Sequence, residues 1–443
     1  MEIKRILIAN RGEIALRALR TIKEMGKEAV VVYSTADKDA LYVKYADVAI
    51  CIGKERSSDS YLNIPAIISA AEISEADAIF PGYGFLSENQ NFVEICSHHK
   101  LKFIGPSVAA MALMSDKSKA KQVMQRAGVP VIPGSDGAVA DTKAAKELAK
   151  KIGYPVILKA AAGGGGRGMR VVEREEDIEK AFWSAESEAM SAFGDGTMYM
   201  EKYILNPRHI EVQIIGDSRG NVLHIGERDC SMQRRHQKLI EESPAILLDE
   251  ATRERLHETA IKAAKAIGYE GAGTFEFLVD KNLDFYFIEM NTRLQVEHCV
   301  SEMVSGLDII ELMIKVAQGE ALPPQASITL KGHAIECRIT AEDPNTFTPS
   351  PGKITKYICP GGRNVRMDSH IYQDYSIPPY YDSMIGKLIV WDTDRNRAIR
   401  KMKVTLEQLI IGGIKTTRDF HIAMMENQDF IDNNYDTNYL SRR

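Results

Sequence analysis

Hydrophobic and polar positions in the first hundred or so residues alternate between two periods. Short apolar runs at residues 5–9 and 29–33 are typical of buried strands, and residues 12–25 place apolar side chains at helical spacing. Two further short apolar runs follow at residues 78–81 and 102–105. This β-α-β order predicts a parallel sheet with helices on both faces.

The remainder of the chain mixes the two periods and indicates an α/β and α+β protein. Its 443 residues suggest several lobes rather than one core. Strand periodicity dominates residues 198–290 and 332–391, and residues 322–324 are typical of a linker. Helices are predicted at residues 109–127, 143–152, 252–267, 305–318 and 397–410.

Composition and charge exclude several classes of protein. Charged residues make up 26% and the net charge is −5, so neither nucleic acid nor an anionic membrane is expected as a partner. The apolar stretches are all shorter than the roughly 18 residues of a spanning helix. Six scattered cysteines without a Cys-x-x-Cys motif indicate neither a disulfide framework nor a zinc site. We expect a reduced, cytoplasmic protein.

A run of glycines at residues 163–168 is the first candidate for phosphate binding. It fails the Walker A pattern because Met169 stands where lysine is required. It meets a Rossmann pattern, but the strands on both sides predict a hairpin instead of a strand-turn-helix. A glycine-rich lid over phosphates is the favoured interpretation, and a flexible surface hairpin is the alternative. Lys159, just before the run, and Lys117 are candidate phosphate-binding lysines.

Two other segments carry groups suited to nucleotides or anions. Residues 201–204 combine a strand, whose backbone can pair with the edge of adenine, with Glu201, a candidate partner for a ribose hydroxyl. Five basic-type side chains lie within residues 228–238. That segment is either an exposed basic loop or a pocket for small anions such as phosphate or bicarbonate, and its composition leaves the two open.

The strongest candidate for a metal site is a hairpin over residues 273–291. With its turn centred near Asn282, Glu276 is predicted to lie opposite Glu289, and Asn291 shares the face of Glu289. Opposed like charges destabilise a strand pair, and a hard divalent cation removes that cost. Oxygen ligands without His or Cys favour Mg²⁺ or Mn²⁺ over zinc. A solvated polar face is the alternative.

The same alternation, continued through residues 292–298, predicts a cation and a candidate general base beside the metal. Arg293, Gln295 and Glu297 then point to one side. Farther along, Arg338 shares a strand face with Glu336, a pair that is usually a surface ion pair of little energetic worth.

Together these motifs resemble biotin carboxylases, members of the ATP-grasp superfamily, over essentially the whole chain. Beyond the glycine run, the resemblance depends on IANRGEIA at residues 8–15, PGYGFLSEN at 81–89, RDCSMQRRHQK at 228–238, EMNTRLQVEH at 289–298 and YYDSMIGK at 380–387. It implies a Rossmann-like parallel-sheet domain, an ATP-grasp domain with a mobile glycine-rich lid, and a mostly-β C-terminal domain. These would span residues 1–115, 116–325 and 326–443, with the lid at about 131–203.

The resemblance also implies a role for individual residues. ATP would be bound by Lys117, Lys159, Gly165, Gly166, Glu201, Lys202, Ile204, His209, Gln233 and His236. Magnesium or manganese would be held by Glu276, Glu289 and Asn291. Bicarbonate would be held by Lys238, Arg293, Gln295 and the backbone of Val296, with Glu297 as its general base. Biotin would be contacted by Arg338, Tyr83 and Asp382.

The implied reaction has two stages. Bicarbonate, deprotonated by Glu297, attacks the γ-phosphate of ATP and gives carboxyphosphate and ADP. Carboxyphosphate then yields CO₂ and phosphate, the phosphate removes the proton from biotin N1′, and the enolate stabilised by Arg338 attacks CO₂. Closure of the lid would keep water from the intermediate.

The resemblance implies partners outside the chain. A biotin-accepting lysine lies between two methionines in a small β domain, whereas the nearest string here, residues 401–404, lacks the second methionine and falls in a predicted helix. Biotin is therefore expected on a separate biotin carboxyl carrier protein, with carboxyltransferase subunits as further partners and a homodimer as the assembly. The complete enzyme would be an acetyl-CoA carboxylase of fatty acid synthesis, with pyruvate or another acyl-CoA as the alternative acceptor.

Two rival functions and one further hypothesis accompany this interpretation. An ATP-grasp ligase that joins a carboxylate to an amine is the first rival, and a catalytically silent scaffold is the second. The polar set from Glu276 to Glu297 argues against the scaffold. Cys230, inside the basic segment, is either a thiol whose alkylation inhibits the enzyme or an inert packed cysteine.

Overall fold

The computed structural model describes residues 2–160 and 168–442, which divide into two compact units. The first unit comprises the chain up to Ala127, Arg208–Phe277 and the chain from Glu289 onward. The second comprises Gly128–Pro207 and Leu278–Ile288. Within the described ranges, no helix is long and apolar enough to cross a membrane.

A five-stranded parallel sheet at the N-terminus confirms the prediction made from the β-α-β pattern. Ile6 and Ile8 join one apolar core cluster and Leu7 joins another, so both faces of the sheet are covered. The strands are β1 Arg5–Ile8, β2 Glu28–Ser34, β3 Val48–Gly53, β4 Ala78–Phe80 and β5 Lys102–Phe103, in the order β3-β2-β1-β4-β5. The helices are α1 Gly12–Glu24, α2 Leu41–Tyr45, α3 Ile64–Ile73 and α4 Gln90–His98.

Two predicted helices are each divided in the structure. The stretch predicted at residues 109–127 forms α5 Val108–Ser115 and α6 Lys117–Arg126, because the extended Asp116 between them accepts hydrogen bonds from the first amides of α6. The helix predicted at residues 305–318 begins later than expected, because Ser305 is the last residue of a separate helix. Helix α10, His298–Ser305, ends at the left-handed Gly306, and Asp308 caps α11, Ile309–Gln318.

The second unit contains a three-stranded antiparallel sheet of order β7-β6-β8. Val156 and Leu158 of β6 point into its core, and Lys159 points to the opposite, half-exposed face. Strands β6 and β7 flank the glycine run and pair antiparallel, which confirms the predicted hairpin context. The elements are α7 Thr142–Ile152, β6 Val156–Ala160, β7 Met169–Val172, α8 Ile178–Phe193 and β8 Met198–Lys202.

An eight-stranded sheet carries most of the polar side chains singled out from the sequence. Its strands are β9 Arg208–Gly216, β10 Val222–Arg234, β11 Gln237–Ser243, β12 Gly271–Val279, β13 Phe285–Asn291, β14 His333–Thr340, β17 Val365–Ser369 and β19 Met384–Asp392. Their order is β13-β12-β9-β10-β11-β14-β19-β17. One apolar core joins this sheet to the N-terminal sheet through side chains such as Ile8, Ile240 and Leu388.

The remaining elements pack around this sheet in the first unit. Helices at residues 252–267 and 397–410 were predicted and are confirmed, with bounds shifted by about two residues. They are α9 Glu250–Ala266, α12 Arg395–Gln408, α13 Arg418–Met425 and α14 Gln428–Ile431. Short antiparallel pairs join β15 Gly352–Lys353 to β18 Ser376–Ile377 and β16 Lys356–Ile358 to β20 Ile410–Gly412.

Candidate functional site

The basic segment at residues 228–238 forms parts of two paired strands instead of an exposed loop. Its exposed residues are Arg235 and His236, which form the turn and have positive φ, and Gln237, which begins the second strand. The Arg234 guanidinium stacks over the ring of Phe347, 4.3 Å from its centroid. Arg228 is fully buried. Because the basic side chains face different surroundings, neither the exposed loop nor a nucleic-acid patch fits this segment.

Lys238 lies at the centre of a buried carboxylate cluster. Its Nζ donates to Glu211 at 2.6 Å, to Glu276 at 3.0 Å and to Glu297 at 2.7 Å. Burial alone would lower the pKa of Lys238, but these three carboxylates raise it well above its ordinary value. The lysine is therefore a permanent cation that neutralises part of the negative charge of the cluster.

Glu297 is held between two cations. Its second oxygen accepts a hydrogen bond from Arg338 Nη2 at 2.9 Å. Burial would raise the pKa of Glu297, but Lys238, Arg338 and Arg228 outweigh burial and hold that pKa well below its ordinary value. Glu297 is therefore an ionised carboxylate across the physiological pH range.

The structure corrects the assignment of Arg338 to a surface pair with Glu336. Arg338 Nε donates to Glu241 Oε1 at 2.6 Å, and both side chains are buried. Glu336 is fully buried and lies directly opposite Glu241 in the pair of strands β11 and β14. Neither oxygen of Glu336 has a hydrogen-bond partner among the described residues. Burial raises the pKa of Glu336 well above its ordinary value and that of Glu241 to about 7. Arg338 is thus the charged partner of Glu297 and Glu241.

Arg228 holds several side chains of the cluster in place through hydrogen bonds. It donates to Glu211 at 2.5 Å, to Gln213 at 2.7 Å and to Gln295 at 2.6 Å. Gln295 in turn donates to Glu276 at 2.8 Å. A buried guanidinium with five donors can hold several oxygen atoms in fixed positions. Arg228 therefore acts on the site by positioning its neighbours.

The predicted metal ligands lie on two neighbouring strands, Glu276 on β12 and both Glu289 and Asn291 on β13. Asn291 Nδ2 donates to Glu276 Oε1 at 2.8 Å, so these two residues are brought together. Glu289 forms a 3.3 Å ion pair with Lys117, and its side chain is half-exposed. Glu276 also contacts His209 Nε2 at 2.9 Å. Because the carboxylates of Glu276 and Glu289 and the amide of Asn291 offer hard oxygen donors, the residues fit a magnesium or manganese ion.

The extension of strand periodicity through residues 292–298 is wrong. Strand β13 ends at Asn291, residues 292–297 are irregular, and Glu297 immediately precedes α10. Arg293 donates to Asn291 Oδ1 and to Glu88 Oε2, each at 2.9 Å. Gln295 and Glu297 nevertheless reach the cluster, because side-chain hydrogen bonds direct this irregular segment toward Glu276 and Lys238.

A cavity of about 520 Å³ opens beside Arg338. Its wall includes four residues that the family resemblance assigned to biotin or bicarbonate, Tyr83, Asp382, Val296 and Arg293, together with Arg338 itself. The Tyr83 hydroxyl donates to Glu13, which also lines the cavity. The structure therefore gathers residues 83, 293, 296, 338 and 382 around one space.

The second unit holds another group of predicted nucleotide ligands. Lys159 donates to Glu201 at 2.7 Å, so the candidate phosphate lysine and ribose partner form one ion pair. The Lys202 ammonium donates to the carbonyls of Gly153 and Tyr154, both at 2.9 Å, and Ile204 is buried. Gly165 and Gly166, the predicted lid residues, lie outside the described residues.

Gln233 and Cys230 complete the predicted residues of β10. Gln233 is buried beside Lys238 in the strand pair. Cys230 is fully buried, and burial together with the nearby Glu211 raises the pKa of its thiol well above its ordinary value. Of the two hypotheses for Cys230, the inert packed cysteine fits this environment.

Four residues of the site were not identified from the sequence: Glu88, Glu211, Arg228 as a positioning residue, and Glu241. Glu211 lies on β9, where polar and apolar residues alternate as in a strand with one face in solvent. Glu241 is one of two adjacent glutamates on β11. Neither pattern separates a buried carboxylate from a surface one. A clue was available in Arg228, because a strand rich in apolar residues that contains an arginine requires buried acceptors.

Three family models match almost the whole chain. "Biotin carboxylase, N-terminal domain" matches residues 2–111. "Carbamoyl-phosphate synthase L chain, ATP binding domain" matches residues 116–325. "Biotin carboxylase C-terminal domain" matches residues 336–442.

Full-length relatives and solved structures agree with these models. The chain is 56% identical to biotin carboxylase of Nostoc sp., over 99% of each chain. It is similar to a crystal structure of a Campylobacter jejuni biotin carboxylase–β-γ-ATP complex, with 84% identity, a TM-score of 0.93 and coverage of 100% and 99%. It is also similar to the dimeric biotin carboxylase domain of Hydrogenobacter thermophilus 2-oxoglutarate carboxylase, a structure with MgADP and bicarbonate, at 49% identity, a TM-score of 0.90 and coverage of 100% and 98%. These matches confirm the predicted fold class.

Proposed function

The chain belongs to the biotin carboxylase family of ATP-dependent ligases, and we propose that its Lys238–Glu297–Arg338 cluster carboxylates biotin with bicarbonate. The position of Glu297 is the observation that links this function to particular residues. Its two oxygens contact Lys238 and Arg338, and Arg338 lines the adjacent cavity. A base and two fixed cations therefore lie where an anion and a second substrate can meet.

In the first stage, bicarbonate is held by Lys238, Arg293, Gln295 and the backbone N–H of Val296. Glu297 removes its proton, and an oxygen of the resulting anion forms a bond to the γ-phosphorus of ATP while the bond to the β-γ bridging oxygen breaks. Carboxyphosphate and ADP result. Without bicarbonate, Lys238 and Arg338 hold the pKa of Glu297 low. When the two cations donate their hydrogen bonds to bicarbonate, the pKa of Glu297 rises and Glu297 becomes a stronger base.

The proposed nucleotide and metal ligands support that stage by positioning phosphate. Glu276, Glu289 and Asn291 would hold a magnesium or manganese ion, which neutralises charge on the phosphoryl group. The ligands proposed for ATP are Lys117, Lys159, Gly165, Gly166, Glu201, Lys202, Ile204, His209, Gln233 and His236. In support, Lys159 and Glu201 lie together on one face of their sheet, and His209 contacts Glu276.

In the second stage, the biotin ureido group occupies the cavity that Tyr83 and Asp382 help to shape. Carboxyphosphate divides into CO₂ and phosphate, and the phosphate accepts the proton of biotin N1′. Arg338 stabilises the negative oxygen of the enolate, and N1′ forms the new bond to CO₂. The buried carboxylates around Arg338 support this role because they fix the guanidinium in place and keep it charged.

The domain limits follow the same proposal. We divide the chain into a biotin carboxylase N-terminal domain at residues 1–115, an ATP-grasp domain at 116–325 with its lid at about 131–203, and a C-terminal domain at 326–443. The spans of the three family models support these limits. Lid closure would exclude water from carboxyphosphate.

Biotin carboxylases act with a biotin carrier and a carboxyltransferase. We propose that this chain is a homodimeric subunit of an acetyl-CoA carboxylase, with biotin on a separate carrier protein. The dimer in the Hydrogenobacter thermophilus structure supports the assembly, and that protein's 2-oxoglutarate acceptor shows that related chains serve other acceptors. A reducing, cytoplasmic location is supported by six cysteines that are all free.

Release of ADP tests the assigned reaction. We expect ADP release from MgATP to require bicarbonate and to rise when free biotin is added. ADP release that needs an amine acceptor instead of bicarbonate would overturn the assignment and favour the rival ATP-grasp ligase. The control omits bicarbonate from degassed buffer.

The acceptor is tested separately by isolating the native complex. Co-purification with a biotinylated carrier and its carboxyltransferase, followed by transfer of labelled bicarbonate to acetyl-CoA, is expected. Transfer to pyruvate with no transfer to acetyl-CoA would replace the proposed acceptor and leave the carboxylation of biotin unchanged.

A further inference from the structure

A buried lysine connects the wall of the cavity to the segment that carries Glu297. Lys387 lies on β19, directly opposite Arg338 in the strand pair, and its side chain is fully buried. Its Nζ donates to the carbonyl oxygen of Val296 at 2.8 Å. That carbonyl belongs to the peptide bond joining Val296 to Glu297.

Lys387 keeps its charge despite its burial. Burial alone would lower the pKa of Lys387, but the Cys299 thiol and the carboxylates of Glu13 and Glu336 raise it above its ordinary value. The Glu13 carboxylate lies 3.3 Å from Nζ. A charged donor makes a stronger hydrogen bond to a carbonyl than a neutral one, so the Val296 carbonyl is firmly held.

The Val296–Glu297 peptide needs an anchor of this kind. Residues 292–297 belong to neither a helix nor a strand, so no ladder of backbone hydrogen bonds fixes their orientation. At the start of this segment Glu88 binds Arg293 and the Thr292 backbone. Lys387 supplies the corresponding contact at its end, next to Glu297.

Glu13 extends the connection to the cavity. The Tyr83 hydroxyl donates to the same Glu13 oxygen that faces Lys387. Tyr83, Glu13 and Val296 all line the cavity. A continuous series of polar contacts therefore runs from Tyr83 through Glu13 and Lys387 to the Val296 carbonyl.

We propose that Lys387 is a positioning residue. By holding the Val296 carbonyl it fixes the backbone of Val296 and Glu297, so that the Val296 N–H and the Glu297 carboxylate both contact bicarbonate. This inference rests on the proposed function. Glu13 has the supporting role of keeping the Lys387 ammonium aimed at Val296. The alternative is that Lys387 only balances buried negative charge and has no effect on bicarbonate.

Steady-state kinetics of Lys387→Met distinguish these roles. We expect the KM for bicarbonate to rise at least tenfold, with a lower kcat, while the KM for ATP changes less than twofold. Lys401→Met is the matched control, because Lys401 also donates to a backbone carbonyl, that of Trp391 at 2.8 Å, and pairs with Asp392 away from the cavity. The control should keep both KM values.

Glu13→Gln keeps the test decisive if Lys387→Met does not fold. This variant retains the size of the side chain and removes the charge that faces Lys387, so we expect a threefold or larger rise in the bicarbonate KM without a change in the ATP KM. Unchanged bicarbonate kinetics in either folded variant, or equal changes in both KM values, would overturn the positioning role. Failure of the proposed function is distinguishable, because the unmodified protein would then release no ADP in response to bicarbonate.

Discussion

Lys238 donates a charged hydrogen bond to Glu297 over 2.7 Å inside a site where both side chains are almost completely buried. This pairing keeps the candidate base ionised but weakens its basicity, since the ammonium favours the carboxylate form. Bicarbonate that draws the Lys238 hydrogen bonds to itself restores the basicity of Glu297. Proton transfer is thereby linked to binding of the correct anion.

Replacement of Glu297 by glutamine should remove the base and preserve the fold. Glutamine has nearly the same shape, and its one amide oxygen can still accept a hydrogen bond from either Lys238 or Arg338, which donate to the two different oxygens of Glu297. We expect bicarbonate-dependent ADP release to fall by about 10²–10⁴-fold, the usual contribution of a general base. The rate is measured under saturating bicarbonate, with thermal unfolding as the check on folding. A loss below threefold would exclude Glu297 as the base.

Arg338→Met should reduce stability as well as activity. The substitution leaves Glu241 and Glu297 buried without the guanidinium that contacts both. Removal of one partner from a buried ion pair typically costs about 3–5 kcal/mol of unfolding free energy. Urea denaturation measures this loss, and Arg400→Met, at an exposed position of α12, should cost much less. Equal losses in the two variants would contradict the buried network.

Glu289→Gln should change the metal requirement without changing stability. The Lys117–Glu289 pair is largely exposed, so its removal is expected to cost less than about 1 kcal/mol. Loss of one anionic oxygen ligand should raise the Mg²⁺ concentration for half-maximal ADP release at least tenfold. Glu311→Gln, which breaks the similarly exposed pair with Lys315, is the matched control. An unchanged magnesium dependence would remove Glu289 from the proposed ligands.

His421→Gln should flatten the acid dependence of stability. Burial lowers the pKa of His421 to about 4, although its hydrogen bond to the Arg338 carbonyl at 2.7 Å acts in the opposite direction. Between pH 6.5 and 4 the unfolded chain therefore binds a proton that the folded chain does not, so stability falls as the pH falls. We expect the variant to lose up to about 1.4 kcal/mol less per pH unit in this window. Urea unfolding at pH 7 and pH 5 measures the difference, and parallel curves would contradict it.

Alkylation of the native enzyme should spare Cys230. Cys51 and Cys359 are exposed, whereas Cys230 is buried with a raised thiol pKa. Iodoacetamide at pH 7.5 should therefore modify the exposed pair, leave ADP release intact and reach Cys230 only after denaturation. Mass spectrometry identifies the modified sites. Inactivation that parallels labelling of Cys230 would restore the reactive-thiol hypothesis.

Local patterns were sufficient to predict much of the fold. Periodicity identified the parallel N-terminal sheet and the hairpin that carries Glu276 and Asn291, because both depend on the spacing of apolar residues within single elements. It failed at Asp116 and beyond Asn291, where caps and side-chain hydrogen bonds determine the backbone. The contacts of residues 292–297 come from distant elements, so no local period could reveal them.

The sequence by itself determined the family, predicted oxygen donors for a metal ion and placed Arg293 and Glu297 close together in the chain. Only the tertiary structure decided that Glu211, Glu241 and Lys387 surround that neighbourhood, and that Arg338 pairs with Glu297 instead of Glu336. The physical reason is burial. A charged side chain on a strand has the same local pattern whether it faces water or a core, and its energy depends on partners that other strands bring within hydrogen-bonding distance.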